Sequence, residues 1–288
     1  MLKKNQIIVG ALFLLSFLFF SPINAFSISP LKYTLSLGSG DDKDLIVNVK
    51  NDSNIKLEYQ AVIMGVQQDN LGRPIFKPST DIAESWVKFS DEKIVLNSNE
   101  SKDVVFTITI PKNAPPGAHY LGIGVRESGV QKIGGQLMTI VILQVAGTVN
   151  ETLLLEKFTS IKKYFFDKKL TYFLQVKNTG NIDLSLKARI EVYNFRNQIV
   201  DSNIIDLGNK LFVQSNRSTE IHPSSSDKMF LPGRYRSLIL INYGLTNQQI
   251  VGSVSFWYWP VWFLILVGVV TILILLFFLY LKNKHERM

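Results

Sequence analysis

Residues 44–63 read DLIVNVKNDSNIKLEYQAVI and residues 171–190 read TYFLQVKNTGNIDLSLKARI. Laid over each other they share Val-Lys-Asn at 49–51 and 176–178, Asn-Ile at 54–55 and 181–182, and Leu57 with Leu184. Each copy is a strand, a turn and a second strand. A second pair of echoes follows in the same order: Pro116-Gly117-Ala118-His119-Tyr120 and Pro232-Gly233-Arg234-Tyr235. Two matched landmarks in one order argue for tandem copies of a single domain of about a hundred residues, the size of a β-sandwich.

The sequence around the repeats agrees. Leu45, Val47 and Val49 alternate onto one face, as do Val104, Phe106, Ile108 and Ile110. Period two over short runs, with no amphipathic helix between them, predicts antiparallel strands. Turn signals separate the runs, among them 51–54, Asp69-Asn70-Leu71-Gly72, 97–99, 178–181 and 242–244. Asn suits such places because it tolerates the left-handed region and bonds its own backbone. Gly180 and Gly233 read as turn glycines that need φ > 0. Tyr120 and Tyr235 each open a strand after Pro-Gly, with a hydroxyl placed to reach a backbone carbonyl, as in immunoglobulin-like domains.

The ends address the chain to a membrane. Residues 1–25 run Lys3-Lys4, an apolar stretch from Ile7 to Phe20, then small residues to Ala25, the order of a secretory signal peptide. Residues 256–281 carry no charge and are long enough for the ~30 Å hydrocarbon core. Trp257, Tyr258, Trp259 and Trp262 crowd one flank and Tyr280 the other, as interfacial aromatics do. Lys282, Lys284 and Arg287 follow in the tail 282–288 and mark a cytoplasmic side. The expected fold is therefore all-β: two tandem immunoglobulin-like antiparallel β-sandwiches, 26–150 and 151–255, then a single transmembrane α-helix. The expected localisation is the cell membrane, single-pass, with the ectodomain outside.

Of the formal net charge of +8, two units lie in Lys3 and Lys4 and two in the tail, which leaves about +4 for the ectodomain and excludes a nucleic-acid partner. The chain has no cysteine, so each sandwich must stand on its own core without disulfides.

Phe26-Ser27-Ile28-Ser29-Pro30, Val47-Asn48-Val49-Lys50-Asn51, Leu96 to Ser101, Val105 to Pro111 and Gly117 to Gly124 together resemble the WxL-interacting proteins of Gram-positive bacteria. That family has two exported sandwich domains, a C-terminal membrane helix and a basic tail. The resemblance covers residues 26–150 best and the second domain only in layout. It implies peptidoglycan contact by the first domain and partner or matrix contact by the second.

No catalytic pattern stands out. The histidines His119, His222 and His285 lie far apart, and no metalloprotease, nucleophile-elbow, Walker or dinucleotide motif occurs. Gly122-Ile123-Gly124 reads as close packing inside a strand. Asp41, Asp42 and Asp44 lack calcium-loop spacing and read as a solvated loop. The expected protein is not an enzyme and needs no cofactor or metal.

Binding is the class that remains. Lys157, Lys162, Lys163, Lys168 and Lys169, with Tyr164 among them, form a basic aromatic stretch suited to an anionic wall polymer, a protein partner or the membrane surface. An equally ordinary reading is a solvated turn whose aromatics plug the core. Residues 65–85 read as a long polar insertion, the kind of loop that carries recognition. The functional expectation is a membrane-anchored extracellular adaptor for peptidoglycan or another wall polymer and for other surface proteins. The alternative is an envelope assembly chaperone that pairs a sheet edge with client subunits.

Overall fold

A computed structural model describes residues 25–78, 81–128, 135–208, 210–223 and 231–285. The signal-peptide reading and Arg287 fall outside them. The described residues are all-β apart from a short 3-10 helix and one C-terminal α-helix, and the chain divides into two compact units.

Unit 1 comprises residues up to Gly65, Pro78–Ala114 and Tyr120–Leu143. The strands in chain order are β1 (Phe26–Ser29), β2 (Lys32–Leu37), β3 (Asp42–Asn51), β4 (Leu57–Gln68), β5 (Pro74–Lys77), β6 (Val87–Phe89), β7 (Lys93–Leu96), β8 (Ser101–Thr109), β9 (Gly117–Glu127) and β10 (Gln136–Val145). One sheet runs β1-β3-β8-β6, the other β2-β10-β9-β4-β5, with β7 also paired to β4. Leu45, Val47 and Val49 of β3 and Val104, Phe106 and Ile108 of β8 are buried, as period two requires, whereas Ile46 stays half exposed. Gly124 packs closely, as its sequence context implies: a Cβ there would stand 2.1 Å from the Leu137 carbonyl oxygen.

Unit 2 takes Val66–Lys77, Pro115–His119 and the chain from Gln144 onward, and so includes β5, the end of β4, the start of β9 and the end of β10. Its further strands are β11 (Leu153–Ser160), β12 (Tyr164–Phe165), β13 (Tyr172–Asn178), β14 (Leu186–Tyr193), β15 (Ile199–Asp206), β16 (Asn216–Ile221), β17 (Gly233–Tyr243) and β18 (Gln248–Tyr258). A sheet ordered β11-β13-β16 stands with one ordered β12-β18-β17-β14-β15. Their inner residues form one core, in which Phe256 meets Phe165, Tyr235 and Tyr172 with ring centroids 5.2, 5.9 and 6.5 Å away. Fully burying one such ring contributes about 1.5–3 kcal/mol.

The repeated segments are not hairpins. β3 and β4 belong to different sheets, and so do β13 and β14, so each copy is an arch that carries the chain between sheets. The shared asparagine holds the arch, and it does so without positive φ. Asn51, fully buried, donates from Nδ2 to the carbonyls of Ile55 (2.7 Å), Leu96 (3.2 Å) and Asn97 (3.0 Å). Its Oδ1 accepts from the Ser53 amide at 3.0 Å. Asn178, also fully buried, donates to the carbonyls of Ile182 (2.8 Å) and Leu211 (3.0 Å) and accepts from the Gly180 amide at 3.0 Å. The buried carbonyls of Leu96 and Ile182 are thereby paired, and those of Asn97 and Leu211, which also accept from the Glu100 and Leu184 amides, gain a second donor.

Gly233 does adopt positive φ (+148°), but Gly180 does not. Gly180 is required by close approach instead, because a Cβ there would lie 2.3 Å from the Asn150 carbonyl oxygen. Tyr235 behaves as its position predicts: its hydroxyl donates to the Leu231 carbonyl at 2.8 Å. The stretch 65–85 is no free loop. It supplies the end of β4, the strand β5 and a 3-10 helix (Ile82–Trp86), which Asp81 and Glu84 close with a capping box.

Candidate functional site

The chain ends in α1 (Val261–His285), whose span Val261–Asn283 is long and apolar enough to cross a membrane and is not buried by the rest of the protein. Sequence alone starts the span at 256, five residues too early. Phe256 and Tyr258 belong to β18 and are buried at 1% and 4% exposure. Tyr258 is therefore a core residue, edge-on to Tyr235 at 6.0 Å, and not an interfacial aromatic. Strand alternation explains the split, since it turns 256 and 258 inward and 257 outward. Trp257, Trp259, Trp262 and Tyr280 remain outside the core, and Trp257 stacks on Trp259 with centroids 6.0 Å apart. Trp259 in turn lies 5.8 Å from Phe263 in the first turn of α1. Lys282 is exposed near the far end of the helix, and Lys284 falls in its last turn.

The structure sorts the lysine stretch. Lys157 stands on β11, where its Nζ lies 5.4 Å from the Phe173 ring centroid. Its strand belongs to a different sheet from β12. Lys162, Lys163, Lys168 and Lys169 flank β12, the two-residue strand that pairs in parallel with the end of β18, Tyr164 opposite Trp257 and Phe165 opposite Tyr258. The Trp257 amide donates to the Lys163 carbonyl at 2.9 Å, and the Trp259 amide to the Phe165 carbonyl at 2.8 Å. The structure divides the aromatics of this loop between core and surface. Phe165 plugs the core at 1% exposure, while Tyr164 and Phe166 stay exposed at 49% and 54%. Lys163 Nζ lies 5.7 Å from the Tyr164 ring centroid. Asp167 accepts from the Lys169 amide at 3.0 Å. Burial raises the pKa of the nearby Tyr258 phenol, and the Asp167 carboxylate adds to that rise.

Strand β17 extends this patch. Its Arg234 is opposite Trp257, so Arg234, Trp257 and Tyr164 form one row on the outer face of the sheet. No sequence signal joins residues this far apart, because the β12–β18 pairing rests on two residues.

A second surface lies on the same sheet. Register places Ile204, Arg189, Leu240 and Val251 in one row across β15, β14, β17 and β18. Ile204 is 82% exposed. Ile204, Arg189 and Leu240 of this row, with Lys187, Asn242 and Gln249, line a groove of about 260 Å³. Among the described residues, no three His, Cys, Asp or Glu side chains gather as a metal site would need. Asp41 and Asp44, from the acidic stretch, accept from the Gly38 amide (2.7 Å) and the Thr107 hydroxyl (2.6 Å).

No family model and no curated protein matches this chain. Several solved structures are similar in layout. A chain of a chaperone–tip adhesin complex of CFA/I fimbriae biogenesis is 12% identical with a TM-score of 0.40, over 82% of this chain and 99% of that one. The class 5 fimbriae chaperone CfaA is 14% identical with a TM-score of 0.38, over 82% of this chain and 100% of its own. A chain of the CsuC–CsuE pre-assembly complex of Acinetobacter baumannii is 11% identical with a TM-score of 0.38, over 68% of this chain and 90% of that one. No residue role follows from likeness at this level.

Proposed function

We propose that this chain is a membrane-tethered, non-catalytic adaptor whose β-sandwich units meet other surface proteins, with the folded part on the exported side. The observation that carries the reading is the junction of β18 and α1. Only Trp259 and Pro260 separate the last strand from an apolar helix of spanning length, so the folded part is held at a membrane surface with almost no stalk. The cations after the span, Lys282, Lys284 and Arg287, favour a cytoplasmic tail. The layout is that of the WxL-interacting proteins that residues 26–150 resemble.

For the contact itself, β15 is, among the described residues, the outer strand of its sheet and has one neighbour there, so half of its backbone groups face away from the ladder. Ile204, 82% exposed on this strand, favours a protein over a hydrated wall polymer. The same edge supports a second reading, an assembly chaperone that lends a strand to a client. Capture from the cell envelope with intact chain and with Ile204→Lys tests both. Loss of stable, folded surface partners in the variant supports the adaptor, and loss of transient unfolded subunits supports the chaperone. An unchanged partner set overturns the assignment of this edge.

A further inference from the structure

We propose that the basic aromatic loop 161–169, with Arg234 and Trp257, is a docking surface for the anionic lipid headgroups of the membrane that α1 crosses. It rests on α1 crossing that membrane. The occupant follows from where the fold puts the loop. Its two-residue strand pairs with β18 at Trp257 and Tyr258, four residues or fewer before the helix begins at Val261. Four residues span at most about 14 Å of chain. The headgroup layer is itself ~5–8 Å deep on each side, the difference between the whole bilayer and its hydrocarbon core. The row Arg234–Trp257–Tyr164 is therefore held in or just above the headgroups, and the loop's charges lie near the screening length of about 8–10 Å.

The composition fits that surface. Lys162, Lys163, Lys169 and Arg234 are exposed, and Asp167 is the acidic residue of the loop. Tyr164, Phe166 and Trp257 are exposed at 49%, 54% and 36%. Aromatic rings beside cations are what an interface of headgroups and upper acyl carbons accommodates. A soluble polymer would meet the cations but leave Phe166 and Trp257 in water. The stack from Trp257 through Trp259 to Phe263 then links the docked sheet to the first turn of the helix. The folded part is thus set upon the membrane and not merely tied to it.

The chain lacks cysteine, so Phe166→Cys gives a single labelling site. The full chain, carrying an environment-sensitive fluorophore at 166, is reconstituted into vesicles of phosphatidylcholine alone or mixed with phosphatidylglycerol. Flotation with the vesicles in high salt first verifies insertion of α1; failure there overturns the membrane reading and this proposal with it, whereas the outcomes below bear on this proposal alone. The expected result is a blue-shifted emission, quenched by a lipid-borne quencher, in the anionic vesicles. It should reverse in high salt, and Lys162→Gln, Lys163→Gln and Arg234→Gln should each lower the docked population about fivefold. Lys187→Gln, on the distant groove, should leave it unchanged. Water-like emission in every inserted sample overturns the proposal. So does a shift that appears only when an anionic wall polymer is added to neutral vesicles, which would return the loop to a polymer. Because salt acts on the labelled chain without further substitution, the test does not depend on the variants folding.

Discussion

The two arches differ at three positions between their shared asparagine and leucine, and the second of these, Ser53 against Gly180, separates what the motif requires from what each neighbourhood requires. Asn51 and Asn178 occupy equivalent positions, both fully buried and both donating to carbonyls of their own turn and of a distant segment. Two residues on, the first copy has Ser53 and the second Gly180. Ser53 Oγ reaches Asn51 Oδ1 at 2.7 Å and the Ile55 carbonyl at 3.1 Å, which adds bonds to the hub. Gly180 adds none. Its bare Cα admits the segment Asn150–Thr152, whose Thr152 carbonyl accepts the Gly180 amide at 3.2 Å. The asparagine belongs to the motif; the residue after next belongs to its surroundings.

The hardest test of that comparison is removal of the hub. Asn51→Ala and Asn178→Ala each remove hydrogen bonds to backbone carbonyls, at about 1–3 kcal/mol where a buried carbonyl such as that of Leu96 or Ile182 is left unpaired and about 0.5–1.5 kcal/mol where, as at Asn97 and Leu211, a backbone amide still donates. Asn51→Ala loses three such bonds and Asn178→Ala two. The expected losses are therefore about 3–5 and about 2–4 kcal/mol, read from hydrogen exchange of the flanking strands in detergent. Losses under about 1 kcal/mol at both sites would mean that the hub is incidental.

Exchanging the differing residue sharpens it. Gly180→Ser should cost about 1–3 kcal/mol, because its Cβ meets backbone that cannot swing aside. Ser53→Gly should cost about 1 kcal/mol for the lost hydroxyl bonds. Equal effects in the two directions would contradict a neighbour-imposed glycine.

Much of the architecture was legible in the sequence because alternation acts locally. Leu45, Val47 and Val49 declare one buried face wherever β3 pairs. What was hidden depends on partners far along the chain. An Asn-rich turn reads alike whether it folds a hairpin or crosses between sheets; the bonds from Asn51 to Leu96 and Asn97 decide, and they come from another strand. The membrane span was placed too early for a related reason. Phe256 and Tyr258 are apolar and aromatic enough for a core or an interface, and only the β17–β18 register assigns them to the core. The lysine stretch was legible as a surface, but its position beside α1 was not.

The smallest expected effect separates the units by acid. Unit 2 buries Glu151, which accepts from the Thr246 hydroxyl (2.5 Å) and the amides of Leu245 (2.5 Å) and Thr246 (3.1 Å) in the β17–β18 turn. Gly244 keeps this turn open, with φ +74° and no room for a Cβ beside the carboxylate. The Thr246 hydroxyl, then the Leu245 amide, hold the Glu151 carboxyl below its ordinary 4.5. In unit 1, Asp52 and Asp91 are also lowered, chiefly by Lys50 and Lys102, but on the surface, where water screens them. A carboxyl lowered on folding contributes stability that is present above its unfolded value and lost as pH falls through the folded one. Amides of the β17–β18 turn should therefore lose protection as pH falls below the ordinary 4.5 and through the lower folded value, ahead of those of β3 and β8. Glu151→Gln should begin about 1–2 kcal/mol lower at neutral pH and stay flat through that window, since its carboxamide does not titrate there. If the variant instead follows the same acid profile as the intact chain, the acid response of unit 2 lies elsewhere, and Glu151 serves the turn only as a neutral acceptor would.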